Sequence, residues 1–290
     1  LFLRFMGELP KPIYDTQIAA AFLNWGFSMG LQRLLAHTLE VEVEKHETTS
    51  NWLQRPLTAS QEKYAALDVA YLPAVYHMQQ EQLKATNKLD WVLGEGEVML
   101  NATPDSDPEG KAYYRRFTQM WGLPPARMAG LRDLTAWRER TCRAQDVPRN
   151  RILRNQALLE IVSNRPRTLG DLSKISEINH RAVRLHGETI LEILANAPAS
   201  AEANPPLPIP RPLPYEWNTK TRKLKSIVKA KARELDIAPE VLLRRKEIEA
   251  IMRTGVETGE FSLPSGLTPW RETEIGQPLL QALQQMSNEE

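Results

Sequence analysis

"QEKYAALDVAYL" (Gln61–Leu72) carries helical periodicity and one misplaced charge. Thr58 is suited to cap the helix start, and Gln61, three residues on, completes a capping-box pattern. At 100° per residue, Tyr64, Leu67, Tyr71, Leu72, Val75 and Met78 fall on one side. Asp68 falls within that apolar stripe, one turn after Tyr64. Pro73 lies on the opposite face and lacks an amide hydrogen, which predicts a break nearby. An ionised carboxylate turned toward a core is costly unless it is paired or bound to a metal. Three readings of Asp68 follow. It pairs with a helix N-terminus or an arginine, it sits exposed in a cleft without a role, or it serves as a metal ligand or general base. The four-residue spacing puts the Tyr64 hydroxyl and the Asp68 carboxylate on one face. A carboxylate suits a hard divalent cation, and a phenol beside it suits a metal-bound water. One carboxylate does not hold two metals, so further acids are required from other elements.

The chain around this helix has 290 residues, 42% hydrophobic and 25% charged, the composition of an ordinary soluble protein. No apolar run approaches the ~18 residues of a membrane span. The opening "LFLRFMGELP" does not read as a secretory leader. The single Cys142 excludes an intramolecular disulfide framework and a cysteine-rich zinc site. The five histidines, His37, His46, His77, His180 and His186, show no zinc-ligand spacing. No phosphate loop, dinucleotide fingerprint or nucleophile elbow is present. A cytoplasmic, monomeric protein without a membrane partner is expected.

The formal charge of +1 hides an uneven distribution. Residues 1–119 hold 11 Lys/Arg against 15 Asp/Glu, a net −4. Residues 120–197 hold 13 against 8, a net +5, and residues 198–290 balance at 13 and 13. A basic middle segment favours an anionic partner.

Two breaks divide the chain. "NATPDSDPEG" (101–110) reads as a loop, and "PASAEANPPLPIPRPLP" (198–214) as a stiff, extended linker. The domains expected are 1–100, 120–197 and 215–290, joined by linkers at 101–119 and 198–214. The first block opens with a strand-like stretch at Ile13–Thr16, which includes Asp15, and is then mostly helical. "AAAFLNWG" suits a buried helix and "LQRLLAHTLEV" an amphipathic one. The second and third blocks read as wholly helical and resemble each other at an offset of ninety positions. Leu134 aligns with Leu224, Trp137 with Ile227 and Asp146 with Asp236. A diverged tandem pair of small helical domains is expected.

"GELPKPIYDTQIAAAF" (7–22), "EKHETTSNWLQRPLTASQEKYAALDVAYL" (44–72) and the two helical blocks together resemble bacterial ribonuclease D over nearly the whole chain. The run from Trp52 to Leu72 is long and specific. The resemblance implies the C-terminal part of a ribonuclease-H-like α/β exonuclease domain, followed by two all-α HRDC-type domains, so a mainly α chain. It implies two-metal (Mg²⁺ or Mn²⁺), 3′-to-5′ trimming of precursor-tRNA ends with release of nucleoside 5′-monophosphates. Tyr64 would orient the attacking water, and Asp68 would be the last of four metal-binding acids. The other three acids of the family pattern, a D-x-E pair and a further Asp, have no match here. The sole D-x-E, Asp107–Glu109, lies in the linker. The resemblance thus implies an N-terminally truncated enzyme, inactive alone, whose first block exposes an unpaired strand edge and half a core. A non-catalytic nucleic-acid-binding HRDC protein is the alternative. By family analogy Arg149, Arg151, Arg154, Arg165, Arg167, Lys174, Arg181 and Arg184 are candidate phosphate contacts. The basic helix "KTRKLKSIVKAKAR" (Lys220–Arg233) is the next candidate surface. Arg55, beside the catalytic helix, is expected to pair with an acid or to approach a phosphate.

Overall fold

A computed structural model of the chain describes residues 2–43, 47–101, 107, 109–255, 259–264 and 266–288. His46 lies outside the described residues. Among them there is no β-strand, and no helix is long and apolar enough to cross a membrane. The chain forms two compact units. One comprises Leu1–Thr103 with Leu213–Glu290, the other Pro104–Pro212.

The first unit begins with helices α1 (Phe2–Phe5), α2 (Thr16–Phe22), α3 (Leu31–Leu39), α4 (Ala59–Ala70), α5 (Leu72–Ala85) and α6 (Leu89–Asn101). The strand expected at Ile13–Thr16 is not formed. Asp15 instead caps α2, its carboxylate accepting from the amides of Gln17 at 2.7 Å and Ile18 at 3.3 Å. That local pairing gives the backbone a helical alternative to a sheet ladder. Ala19–Phe22 then bury completely. The break expected near Pro73 is present: α4 ends at Ala70, and Tyr71 caps α5, with Pro73 in its first turn.

The rest of this unit comprises α12 (Trp217–Glu234), α13 (Pro239–Leu242), α14 (Arg245–Thr254), α15 (Pro269–Arg271), a π-turn at Glu272–Gly276, and α16 (Gln277–Asn288). These helices share one core with the first block: Phe22, Leu83 and Val92 pack with Leu224, Ile248, Leu279 and Leu283. Trp91 stacks on Trp270 at 4.7 Å, and Phe22 meets Trp270 edge-on at 5.2 Å. The ammonium of Lys88, itself 7% exposed, donates to the carbonyls of Phe22 (3.3 Å) and Asp236 (2.8 Å). A second, smaller core gathers Ala20, Met29, Leu34, Leu35 and Val75.

The second unit contains α7 (Pro125–Ala144), α8 (Arg149–Ile152), α9 (Asn155–Asn164), α10 (Leu169–Leu172) and α11 (His180–Ala203). Leu131, Leu134, Leu158, Ile161, Leu172 and Ile190 form its fully buried centre. The first third of the expected extended linker is helix: α11 continues through Pro198 to Ala203, carried by the packing of Ala197 and Ala201. Beyond it, Ile209 is buried and the Leu207 carbonyl accepts from the Tyr114 hydroxyl at 2.7 Å. This proline-rich segment is therefore docked on the second unit.

The ninety-residue repeat is visible in the backbone. α7 ends at Ala144 and α12 at Glu234. Asp146 and Asp236 both adopt φ 50°, a left-handed conformation that aspartate tolerates. Behind them the Val147 amide returns to the Cys142 carbonyl and the Ile237 amide to that of Ala232, both at 3.0 Å. This six-to-one closure is how a helix ends on a left-handed residue. A four-residue helix follows in each case, then extended Leu153 or Leu243, then a ten-residue helix.

Candidate active site and nucleic-acid surfaces

α4 is held by its first turn. The Gln61 amide donates to Thr58 Oγ1 at 3.2 Å, and Gln61 Oε1 accepts from the Thr58 amide at 3.0 Å. Gln61 is 3% exposed, and its Nε2 also donates to Ser50 Oγ (3.1 Å) and the Asn51 carbonyl (3.3 Å). The capping box therefore also fastens the loop before it. The indole of Trp52 is fixed by donation to the Glu47 carbonyl at 3.0 Å and packs on Tyr64 at 5.9 Å. The contact of Trp52 with Tyr64 is one that periodicity alone does not reveal; its place at the head of the Trp52–Leu72 motif is the available signal. Arg55 pairs with no acid among the described residues. Its Nη1 donates to the carbonyls of Trp52 (2.9 Å) and Gln54 (2.8 Å), which closes the loop on itself.

Asp68 does not face a core. It is exposed, and no ion pair or hydrogen bond to it occurs among the described residues. Tyr64, Leu67, Tyr71, Leu72 and Met78 are half-buried, and of the stripe only Val75 is fully buried. The periodicity marks the apolar side of α4 correctly, but little covers that side before α5 begins. Phe2, Phe5, Met6, Leu53 and Val69 are likewise more than half exposed. The first block thus leaves apolar side chains bare, as expected, but without a strand edge. Asp107 is a local cap, accepting from the amides of Lys111 (2.7 Å) and Ala112 (2.8 Å), and Glu109 lies 3.8 Å from Arg140.

The basic candidates of the second unit separate into bound and free groups. Arg149 is fully engaged: it grips both oxygens of Glu139, a carboxylate only 1% exposed, and lies over the Tyr113 ring at 4.9 Å. That hydrogen bond holds the Arg149 guanidinium protonated beyond the usual arginine range. Arg154 reaches Glu177 at 3.4 Å and Lys174 reaches Asp171 at 3.2 Å, both at the surface. Arg151, Arg181 and Arg184 are exposed and make no ion pair among the described residues. Arg165, Arg167 and Lys174 line one pocket with Asp171. Arg138 is fully buried beside Glu139. It donates to the Leu153 carbonyl (2.9 Å) and Asn155 Oδ1 (2.8 Å), leaves Nε and Nη2 unpartnered, and is pushed below the usual arginine range by burial.

Among known proteins, the family model described as "3′-5′ exonuclease" matches residues 1–84, and the HRDC domain model matches residues 128–194. The ribonuclease D of Pseudomonas paraeruginosa is 39% identical over 285 residues, covering 98% of this chain and 75% of that protein. The chain belongs to the ribonuclease D family. The ribonuclease D of Gluconacetobacter diazotrophicus is 33% identical over 284 residues, covering 97% of this chain and 70% of that one. The crystal structure of Escherichia coli RNase D, described as an exoribonuclease involved in structured RNA processing, superimposes with a TM-score of 0.82 at 28% identity. It covers 98% of this chain and 76% of that one. The family is one of exoribonucleases, and the exonuclease match contains the whole of α4 with Tyr64 and Asp68. Only one HRDC domain is matched.

Divalent metal is the general requirement of the exonuclease family. The residues present do not fit a complete metal centre: no group of three or more His, Cys, Asp or Glu positioned to hold an ion occurs among the described residues.

Proposed function

We propose that the chain belongs to a 3′-to-5′ exoribonuclease acting on RNA 3′ ends, precursor tRNA among them, in the cytoplasm and as a monomer. Tyr64 and Asp68 are its contribution to the reactive centre. The observation that carries this reading is their placement. They stand one turn apart on α4, with Trp52 packed on Tyr64 and the Asp68 carboxylate open to solvent. A carboxylate without a protein partner is available to a cation, and a phenol one turn away is available to a water or a phosphate oxygen. With one acid in place of four, these 290 residues do not assemble a two-metal site, and the chain alone does not hydrolyse RNA. Arg151, Arg181 and Arg184 are the HRDC-domain cations free to meet phosphates, whereas Arg149 belongs to the domain's internal structure. The third block is a second, diverged HRDC domain, a reading supported by its shared helix order and matching left-handed aspartate.

The test is incubation of the 290-residue chain with a 3′-tailed precursor tRNA in Mg²⁺ or Mn²⁺. The expected result is intact RNA. Metal-dependent release of nucleoside 5′-monophosphates that disappears in Asp68→Asn would show that the acids present suffice and would overturn the incomplete-site reading.

A further inference from the structure

The two repeats use their first helix in opposite ways. In α7, eleven of twenty residues are buried. The face carrying Arg132, Ala136 and Glu139 is closed from two directions. Arg132 donates to the Asn204 carbonyl (2.5 Å) and Ser200 Oγ (2.7 Å) at the end of α11. Gly110 lies so close that a Cβ there would stand 2.4 Å from Glu139 Cβ and 3.3 Å from Ala136 Cα. Ninety positions on, the same face of α12 carries Arg222, Ser226 and Lys229, followed by Arg233 in the next turn, and all four are exposed. Only Lys220, Leu224, Val228 and Ala232 of α12 are buried, a single narrow stripe.

This bare face has one sign of charge. From Trp217 to Arg233 the sequence contains no acidic residue. Lys231 is taken up by Glu234 at 2.8 Å and Glu274 at 2.9 Å. Arg222, Lys223, Lys229 and Arg233 make no ion pair among the described residues; Arg222 donates only to Thr219 Oγ1 at 3.3 Å. An open groove of about 560 Å³ lies beside Arg222 and Lys223, lined with them by Thr219, Ser226 and Ile227. At 1.5 Å per residue, Arg222 to Arg233 spans roughly 16 Å, the reach of about three nucleotides of extended strand.

We propose that this face of α12 is a docking track for the sugar–phosphate backbone of single-stranded RNA. The inference rests on the ribonuclease reading above and adds to it a surface in the third block. Four exposed cations, no acid between them and no aromatic platform suit phosphates and carry no base readout.

The test is binding of the full chain to a fluorescein-labelled 12-nucleotide oligoadenylate in EDTA, followed by anisotropy from 50 to 300 mM salt. Four phosphate contacts give a log–log salt slope of about −3 for a single strand. The triple variant Arg222→Gln/Lys229→Gln/Arg233→Gln is expected to flatten that slope by about 2 and to weaken binding about a hundredfold at 0.1 M salt. Lys84→Gln/Lys111→Gln/Lys246→Gln removes equal charge elsewhere and is expected to change the slope little. Equal effects of the two triples, or none from the first, would overturn the track while leaving the RNA reading intact. Failure of the unsubstituted chain to bind at 50 mM salt would sink both. Polyglutamate that binds α12 as tightly as the oligonucleotide does would assign the face to an acidic protein instead.

Discussion

Gly94 and Gly96 stand two residues apart in α6, and the structure assigns opposite signs to their replacement by alanine. A Cβ at Gly94 meets nothing within 4 Å. Gly94→Ala therefore gains only the helical preference of alanine, about 0.5–1 kcal/mol. A Cβ at Gly96 would stand 2.1 Å from the Ile13 carbonyl oxygen and 3.2 Å from its carbon. The obstacle is backbone, just ahead of the Asp15 cap of α2, so relief requires α6 and the segment before α2 to separate by about 1 Å. Overpacking of this kind costs about 1–3 kcal/mol, and a backbone obstacle belongs at the upper end. After the propensity gain, Gly96→Ala should lose about 2 kcal/mol, a fall of about 1 M in urea midpoint at a slope near 2 kcal/mol per M. A chain with two compact units need not unfold in one step. The assay is therefore hydrogen exchange across a urea series, read on peptides of α2 and α6. A Gly96→Ala midpoint equal to or above that of Gly94→Ala would refute the close approach of α6 to Ile13.

Two further outcomes concern each unit's core. Trp270→Ala removes the stack on Trp91, the edge contact with Phe22 and an Nε1 donation to Glu95 at 3.2 Å. Because Trp270 is only half-buried, a loss near 3 kcal/mol is expected, seen as lost exchange protection in α2 and α6 as well as in α12. Burial against Trp137 (5.3 Å) lowers the His186 pKa from its ordinary 6.5, so the unfolded chain binds the proton more readily than the folded one. Stability of the second unit is then complete above about 6.5 and falls as pH drops from there toward the lowered value. His186→Gln should flatten the urea midpoint of that unit between pH 5 and 7.

The parts legible in the sequence were local. The Thr58–Gln61 capping box and the break before Pro73 are patterns of adjacent residues, and each formed as read; the ninety-residue offset holds for the helix ends at Asp146 and Asp236, but the third block shares its core with the first instead of forming a domain of its own. The failures arose where a distant or competing partner decides. Ile13–Thr16 reads as a strand until Asp15 is seen to cap α2. Pro198 reads as extended until Ala197 and Ala201 are seen to pack within a continuing helix. The stripe from Tyr64 to Leu72 reads as a core face because periodicity shows which side is apolar, not what lies over it. The core shared by Phe22, Leu83 and Val92 with Leu224 and Leu279 joins residues some two hundred positions apart, and no local pattern announces it.

Charge shows the same division between count and placement. The middle segment has the larger positive excess, yet Arg132, Arg138, Arg149, Arg154 and Lys174 are occupied within it by carbonyls or acids. The third block balances to zero, yet the one acid of α12 is its last residue, Glu234, which with Glu274 holds Lys231, while Glu247 and Glu249 on α14 hold Arg271 and Arg245. Solvent-exposed charges interact over about 10 Å at 0.1 M salt, so an approaching polyanion meets a face rather than a segment total. Unpaired cations gathered on one acid-free face of α12 therefore count for more than the neutral total of their block suggests. This is why the third block, unremarkable by composition, carries the surface that the RNA assay should find.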